Sequence, residues 1–157
     1  MELTTSRIKE NTAIEILTWK YEKPYDFYNN VLSGEAILEL MSNSYRAVLH
    51  KEEVIGFFCT GRDAQVPKGH EVNAYADSCV DIGIGMKPEL TGKGIGTIFL
   101  RFILQEVLRE AKGSIRLTVA EFNLRAIRLY EKFNFLKQSE FVRGDGVKFI
   151  VMVRDEE

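Results

Sequence analysis

The sequence predicts a mixed α/β layer fold with helices on both faces of a sheet. Three observations predict it. Short apolar runs of strand length fill Tyr45–Leu49, Val54–Thr60 and Ser78–Met86. The apolar period then changes to about 3.6 residues from Gly96 to Lys112, and again over Leu124–Phe133, on either side of the strand Ile115–Ala120. The chain ends in a hairpin signature, Phe135–Val142 and Val147–Val153 joined by Arg143, Gly144, Asp145 and Gly146.

Each element has a local reason. Arg7 to Trp19 places Ala13, Ile16 and Leu17 on one helical face behind Thr4, Thr5 and Ser6, which read as capping residues of a first helix. Lys20 to Asn30 is aromatic but broken by Pro24, so it reads as a packed connection. Ala36–Met41 follows Gly34 as a short second helix. His50, Lys51, Glu52 and Glu53 separate two apolar runs as the turn of a hairpin. A loop with Gly61, Pro67 and Gly69 leads to the third strand. From Gly96 onward, Ile98, Phe99, Phe102, Ile103, Leu104, Val107, Leu108 and Ala111 form a wide apolar stripe, as expected of a helix lying on a sheet.

The 157 residues read as one domain, 1–157, without repeats or linkers, and at 45% hydrophobic content the disordered class is excluded. Lys and Arg number 21 against 23 Asp and Glu, a net charge of −2. That balance argues against nucleic-acid partners and anionic membranes. The polar N-terminus and the lack of an apolar window of membrane-spanning length argue for a cytoplasmic protein without a membrane partner. Cys59 and Cys79 sit in apolar stretches without ligand spacing, so no metal site is expected.

Asp81 to Thr97, DIGIGMKPELTGKGIGT, carries a strand through Pro88 into Gly92, Gly94 and Gly96 and directly into the long helix. That layout suits an anion, because a helix N-terminus offers unpaired amides and glycine lets phosphate approach them. The Walker pattern fails, since Lys93 is followed by Gly94 and position 87 is lysine. The dinucleotide pattern fails as well. Counted from Gly83, Gly92 or Gly94, its last glycine would be Pro88, Thr97 or Phe99.

The remaining pattern resembles the pyrophosphate loop of the GNAT N-acetyltransferases, Gln/Arg-x-x-Gly-x-Gly/Ala, over Thr91, Gly92, Lys93, Gly94, Ile95 and Gly96. Thr91 departs from the usual Gln or Arg. A second stretch, NLRAIRLYEKFNF at Asn123–Phe135, resembles the family's other signature, with Asn134 in place of its usual glycine at a helix end that needs a left-handed residue. From Lys87 to Lys132 the chain has nine basic and five acidic residues, 9 − 5 = +4, so the remainder carries −6. A positive stretch in an acidic protein suits a polyanion such as coenzyme A.

The resemblance implies the acyl-CoA N-acyltransferase fold, a mostly antiparallel sheet splayed at its middle, with acetyl-CoA as co-substrate and an amine as acceptor. It implies that the pantetheine arm lies along the strand ending at Met86, bonded to Ile84 and Met86 main-chain groups, with the Met86 N–H near the thioester carbonyl. The diphosphate would rest on Thr91 through Thr97. Asn123 would cap its helix and bond the pantetheine, with Ala126 and Lys132 as further contacts and Tyr130 protonating the departing thiolate. The general base is Asp81, Glu121 or water. Trp19, Tyr21, Tyr25, Phe27 and Tyr28 fall where the family's acceptor wall lies, with plain core packing as the competing reading. A CoA-binding module without catalysis, or a nucleotide-binding protein of another fold, are the alternatives. The closing hairpin offers an edge for a homodimer, which the sequence leaves open.

Overall fold

The computed structural model describes residues 1–156. In chain order the regular elements are β1 (Thr4–Arg7), α1 (Glu10–Leu17), α2 (Gly34–Leu40), β2 (Tyr45–His50), β3 (Glu53–Thr60), α3 (Pro67–Glu71) and β4 (Val80–Met86). They continue with α4 (Gly96–Glu110), β5 (Ile115–Ala120), α5 (Leu124–Lys132), β6 (Leu136–Val142) and β7 (Lys148–Arg154). The seven strands form one sheet in the order β1-β2-β3-β4-β5-β7-β6. Its registered pairs are antiparallel except for β4 with β5.

Two compact units divide the chain, Met1–Cys59 with Ile84–Ile103, and Thr60–Gly83 with the chain from Leu104 on. In the first, β1 pairs with β2 and β2 with β3. Its core includes Ala47, Val48, Phe99 and Leu100, each essentially inaccessible. In the second, β5 pairs with β7 and β7 with β6. Ala120, Phe141, Phe149 and Val151 form a buried cluster there, covered by Val66, Ala74, Phe122 and Val147. The parallel register joins Val80, Asp81 and Ile82 of β4 to Ile115, Arg116 and Leu117 of β5.

Three expectations change. Thr4, Thr5 and Ser6 do not cap α1; with Arg7 they form β1, registered against Arg46–Leu49. Backbone pairing with β2 stabilises a strand that four polar side chains could not announce. The helix starts at Glu10, behind a Lys9 that makes no side-chain cap. The β2–β3 connection is tighter than four residues, because Lys51 and Glu52 alone turn the chain, both at positive φ (50° and 67°). That is the conformation a two-residue hairpin demands, here met without glycine. Finally, the loop before β4 holds α3, started by Pro67 at its first turn.

Candidate functional site

Between Met86 and α4 the chain makes a short 3₁₀ turn, Pro88–Leu90. Thr91 closes it, donating its hydroxyl to the Pro88 carbonyl at 2.7 Å. Gly92 and Gly94 then take φ of 73° and 80°, the left-handed region where a Cβ is costly. A Cβ built on Gly94 would meet nothing within 4 Å, so the space over that peptide is open. The first ladder bond into α4 runs from Phe99 N–H to Ile95 O at 3.0 Å. The amides of the preceding residues, Gly96, Thr97 and Ile98, are those every α-helix leaves without an intrahelical acceptor. Left-handed glycines, open space and an amide cluster at the positive end of a 15-residue helix fit a diphosphate.

Lys93 is exposed beside these glycines. Not every basic residue of the stretch is available to a ligand. Lys87 is paired with Glu53 at 3.1 Å, and Arg116 is buried at 2% exposure. Arg116 therefore adds nothing to the positive surface that the charge count implied.

The end of β4 is built by its neighbours in the first unit. Gly85 has a packing reason, because a Cβ there would lie 2.3 Å from the Phe57 ring. Lys87 N–H donates to Ile55 O of β3 at 2.8 Å. Tyr21 Oη donates to the Met86 carbonyl at 2.7 Å. Burial first, then the charge of Glu89 and the neighbouring Tyr28, push the Tyr21 phenol up to about 12, so it stays a protonated donor. The aromatic connection thus divides its labour. Trp19 is core, tilted over Phe57 at 6.3 Å, whereas Tyr21 reaches the β4 main chain. The aromatic pattern pointed to the segment, but nothing in it distinguished Tyr21.

In the second unit Asn123 caps α5, its Oδ1 accepting from Ala126 N–H at 3.2 Å. Ala126 consequently offers its amide to Asn123. At the other end, Phe135 N–H donates to Tyr130 O at 3.1 Å and Asn134 N–H to Glu131 O at 3.0 Å. Asn134 sits at φ 69°, completing a Schellman turn as its substitution for glycine anticipates. The Tyr130 ring meets Phe135 edge-on at 6.0 Å and is buried, so backbone and ring are both held in place. Lys132 lies exposed in the last turn of α5.

Asp81 is engaged in a buried ion pair. Only 4% exposed, it accepts Arg116 Nε at 2.7 Å and Nη2 at 2.8 Å, with Gln65 Nε2 at 2.9 Å on the second oxygen. Both of its oxygens are already engaged. Its sequence position on β4 suggested a base; the partner across the ladder, Arg116, carried no local signal. Glu121, the rival, is paired with Lys148 at 3.3 Å and half exposed.

Among the described residues no group of His, Cys, Asp and Glu could hold a metal ion, and no helix is long and apolar enough to cross a membrane. A family model described as acetyltransferase (GNAT) family matches residues 11–135. No curated protein sequence matches the chain. Among solved structures, aminoglycoside acetyltransferase AAC(6')-Ib in complex with coenzyme A aligns at 19% identity and TM-score 0.72, covering 98% of this chain and 95% of that one. A spermidine N-acetyltransferase SpeG chimera from Vibrio cholerae and hSSAT aligns at 20% identity and TM-score 0.72, covering 99% and 96%. The ribosomal-protein-S18-alanine N-acetyltransferase from Escherichia coli aligns at 17% identity and TM-score 0.66, covering 99% and 95%.

Proposed function

Because this chain belongs to the GNAT family of acetyltransferases, with acetyl-CoA as co-substrate, we propose that it moves the acetyl group to a primary amine by direct attack in a ternary complex. The observation that carries this reading is the loop before α4, where Gly92 and Gly94 are left-handed and open space lies over Gly94, next to amides that a helix start leaves without intrahelical acceptors.

In this reading the amides from Gly92 to Thr97 hold the diphosphate, Lys93 adds charge, and Thr91 contributes loop closure in place of a long side chain. Ile84 and Met86 bond the pantetheine through their main chain. The Met86 N–H supports the negative charge that builds on the thioester oxygen, a donor worth roughly 3 kcal/mol in comparable sites. Asn123 binds through its side-chain amide while capping α5, and Lys132 and Ala126 line the same ligand. Transfer forms a C–N bond and breaks the C–S bond; the amine loses a proton and the thiolate gains one. Tyr130 supplies the proton to the thiolate. With Asp81 enclosed by Arg116, the amine's proton leaves through water, with Glu121 as the exposed carboxylate that can receive it.

The acceptor is a cationic amine. Outside Lys87–Lys132 the chain carries −6, and the solved relatives named above include acetyltransferases of aminoglycosides and spermidine. The test is a thermal shift with coenzyme A, ATP and NAD, followed by thiol release from acetyl-CoA with spermidine, kanamycin and amino-acid amines. Coenzyme A at a hundred times its Kd should stabilise the protein by about 2.7 kcal/mol. Stabilisation by ATP or NAD instead, or coenzyme A binding with no amine raising thiol release, overturns the reading. Gly94→Val gives an independent check. A side chain forced onto φ 80° over the amides should raise the KM for acetyl-CoA by about tenfold or more, with kcat much less affected.

A further inference from the structure

Met86 turns both of its main-chain polar groups away from β3. Lys87 N–H points to Ile55 O of β3, so the Met86 carbonyl, on the opposite side of that planar peptide, points away. The Gly85 carbonyl lies toward β3, 2.6 Å from where a Gly56 Cβ would stand, so the Met86 N–H also points away. An extended residue presents its N–H and C=O along the same edge. Tyr21 Oη therefore sits on the very edge from which the Met86 N–H projects.

We propose that Tyr21 is a positioning residue for acetyl transfer: its hydroxyl fixes the Met86 carbonyl and thereby aims the adjoining Met86 N–H at the thioester oxygen. The inference rests on the acetyl-transfer reading above and adds to it a residue that touches neither the acetyl group nor its leaving thiol. The Met86–Lys87 peptide is held at both ends, by Tyr21 on its oxygen and by Ile55 on its nitrogen. Tyr21 is itself anchored, since its N–H donates to Asn29 Oδ1 at 2.7 Å and its ring meets Tyr28 edge-on at 6.4 Å. A phenol held near 12 gives up its proton reluctantly, which suits a fixed donor and leaves proton transfer to Tyr130. A donor to a main-chain carbonyl acts on geometry rather than on ligand affinity, so it should affect kcat more than KM.

The experiment compares the wild-type protein with Tyr21→Phe and with 3-fluorotyrosine at position 21, whose hydroxyl is retained but ionises at lower pH. Acetyl-CoA turnover is measured with spermidine and kanamycin, and as thioester hydrolysis without any amine. The phenylalanine variant should lose about tenfold in kcat and in hydrolysis, with KM values within about twofold and an unchanged coenzyme A thermal shift. Fluorotyrosine should restore kcat at neutral pH and move its alkaline loss to lower pH. An unaltered kcat in Tyr21→Phe, or a change confined to the amine KM, overturns the role of Tyr21. A wild-type protein that coenzyme A fails to stabilise overturns the acetyl-transfer reading itself. If the phenylalanine variant does not fold, the fluorotyrosine pH profile decides: a profile identical to wild type removes Tyr21 from the reaction.

Discussion

Arg116→Met lowers stability by about 3–5 kcal/mol, the cost of stranding a buried carboxylate. In a chain of this length that is a fall in Tm on the order of 10 °C. The guanidinium is 2% exposed and bonds both oxygens of Asp81, the Asp77 carbonyl at 2.9 Å and, through its face, the Tyr75 ring at 5.1 Å. Asp81 and Arg116 are direct partners in the β4–β5 register, so the pair spans the ladder itself. Removing the arginine leaves Asp81 with Gln65 alone among these donors, charged and enclosed. The hydrogen bond to Asp81 holds the arginine firmly protonated, so the loss appears across the neutral pH range.

Two companions make the result diagnostic. Asp81→Leu combined with Arg116→Met should recover much of the loss, because an apolar pair of similar volume needs no desolvation. Arg116→Lys should not, since one ammonium cannot reproduce a two-pronged contact. Asp81→Asn separates structure from catalysis. The proposed water route predicts a lower Tm with kcat of the folded protein retained, whereas a base at Asp81 would show kcat collapsing more than stability. Thermal melts and thiol release on the same samples read both.

These contrasts mark where sequence reading stopped. The α4 stripe, β5, α5 and the closing hairpin were legible because a periodic apolar face or a glycine turn encodes them locally. So was Asn134, since only a left-handed residue ends a helix and leads straight into a strand in that way. β1 was not legible, because TTSR is stabilised by pairing with residues some forty positions away. The same limit applies to the site. The left-handed backbone of Gly92 and Gly94 in the loop before α4 is a property of the glycines themselves, so a glycine-rich turn between strand and helix signals it locally. Asp81 and Tyr21 depend on partners at Arg116 and Met86, thirty-five and sixty-five residues distant, and no window of sequence displays those pairs.

Tyr130→Phe should reduce kcat for acetyl transfer by about a hundredfold, the lower range for loss of a positioned general acid. Two of the contacts that place the residue survive the change. Tyr130 keeps its place through its main-chain carbonyl, which accepts the Phe135 N–H, and through the edge-on ring contact with Phe135, and phenylalanine retains both. Coenzyme A should therefore stabilise the variant as it does the wild type, with the KM for acetyl-CoA within about threefold. The defect should also depend on the leaving group. A thioester whose thiol is more acidic needs less help in departing, so replacing acetyl-CoA with a more activated acetyl thioester should narrow the gap between variant and wild type. A gap that stays constant as the leaving thiol is made more acidic, or a kcat that does not fall, would leave Tyr130 as a packing residue and move proton delivery to solvent.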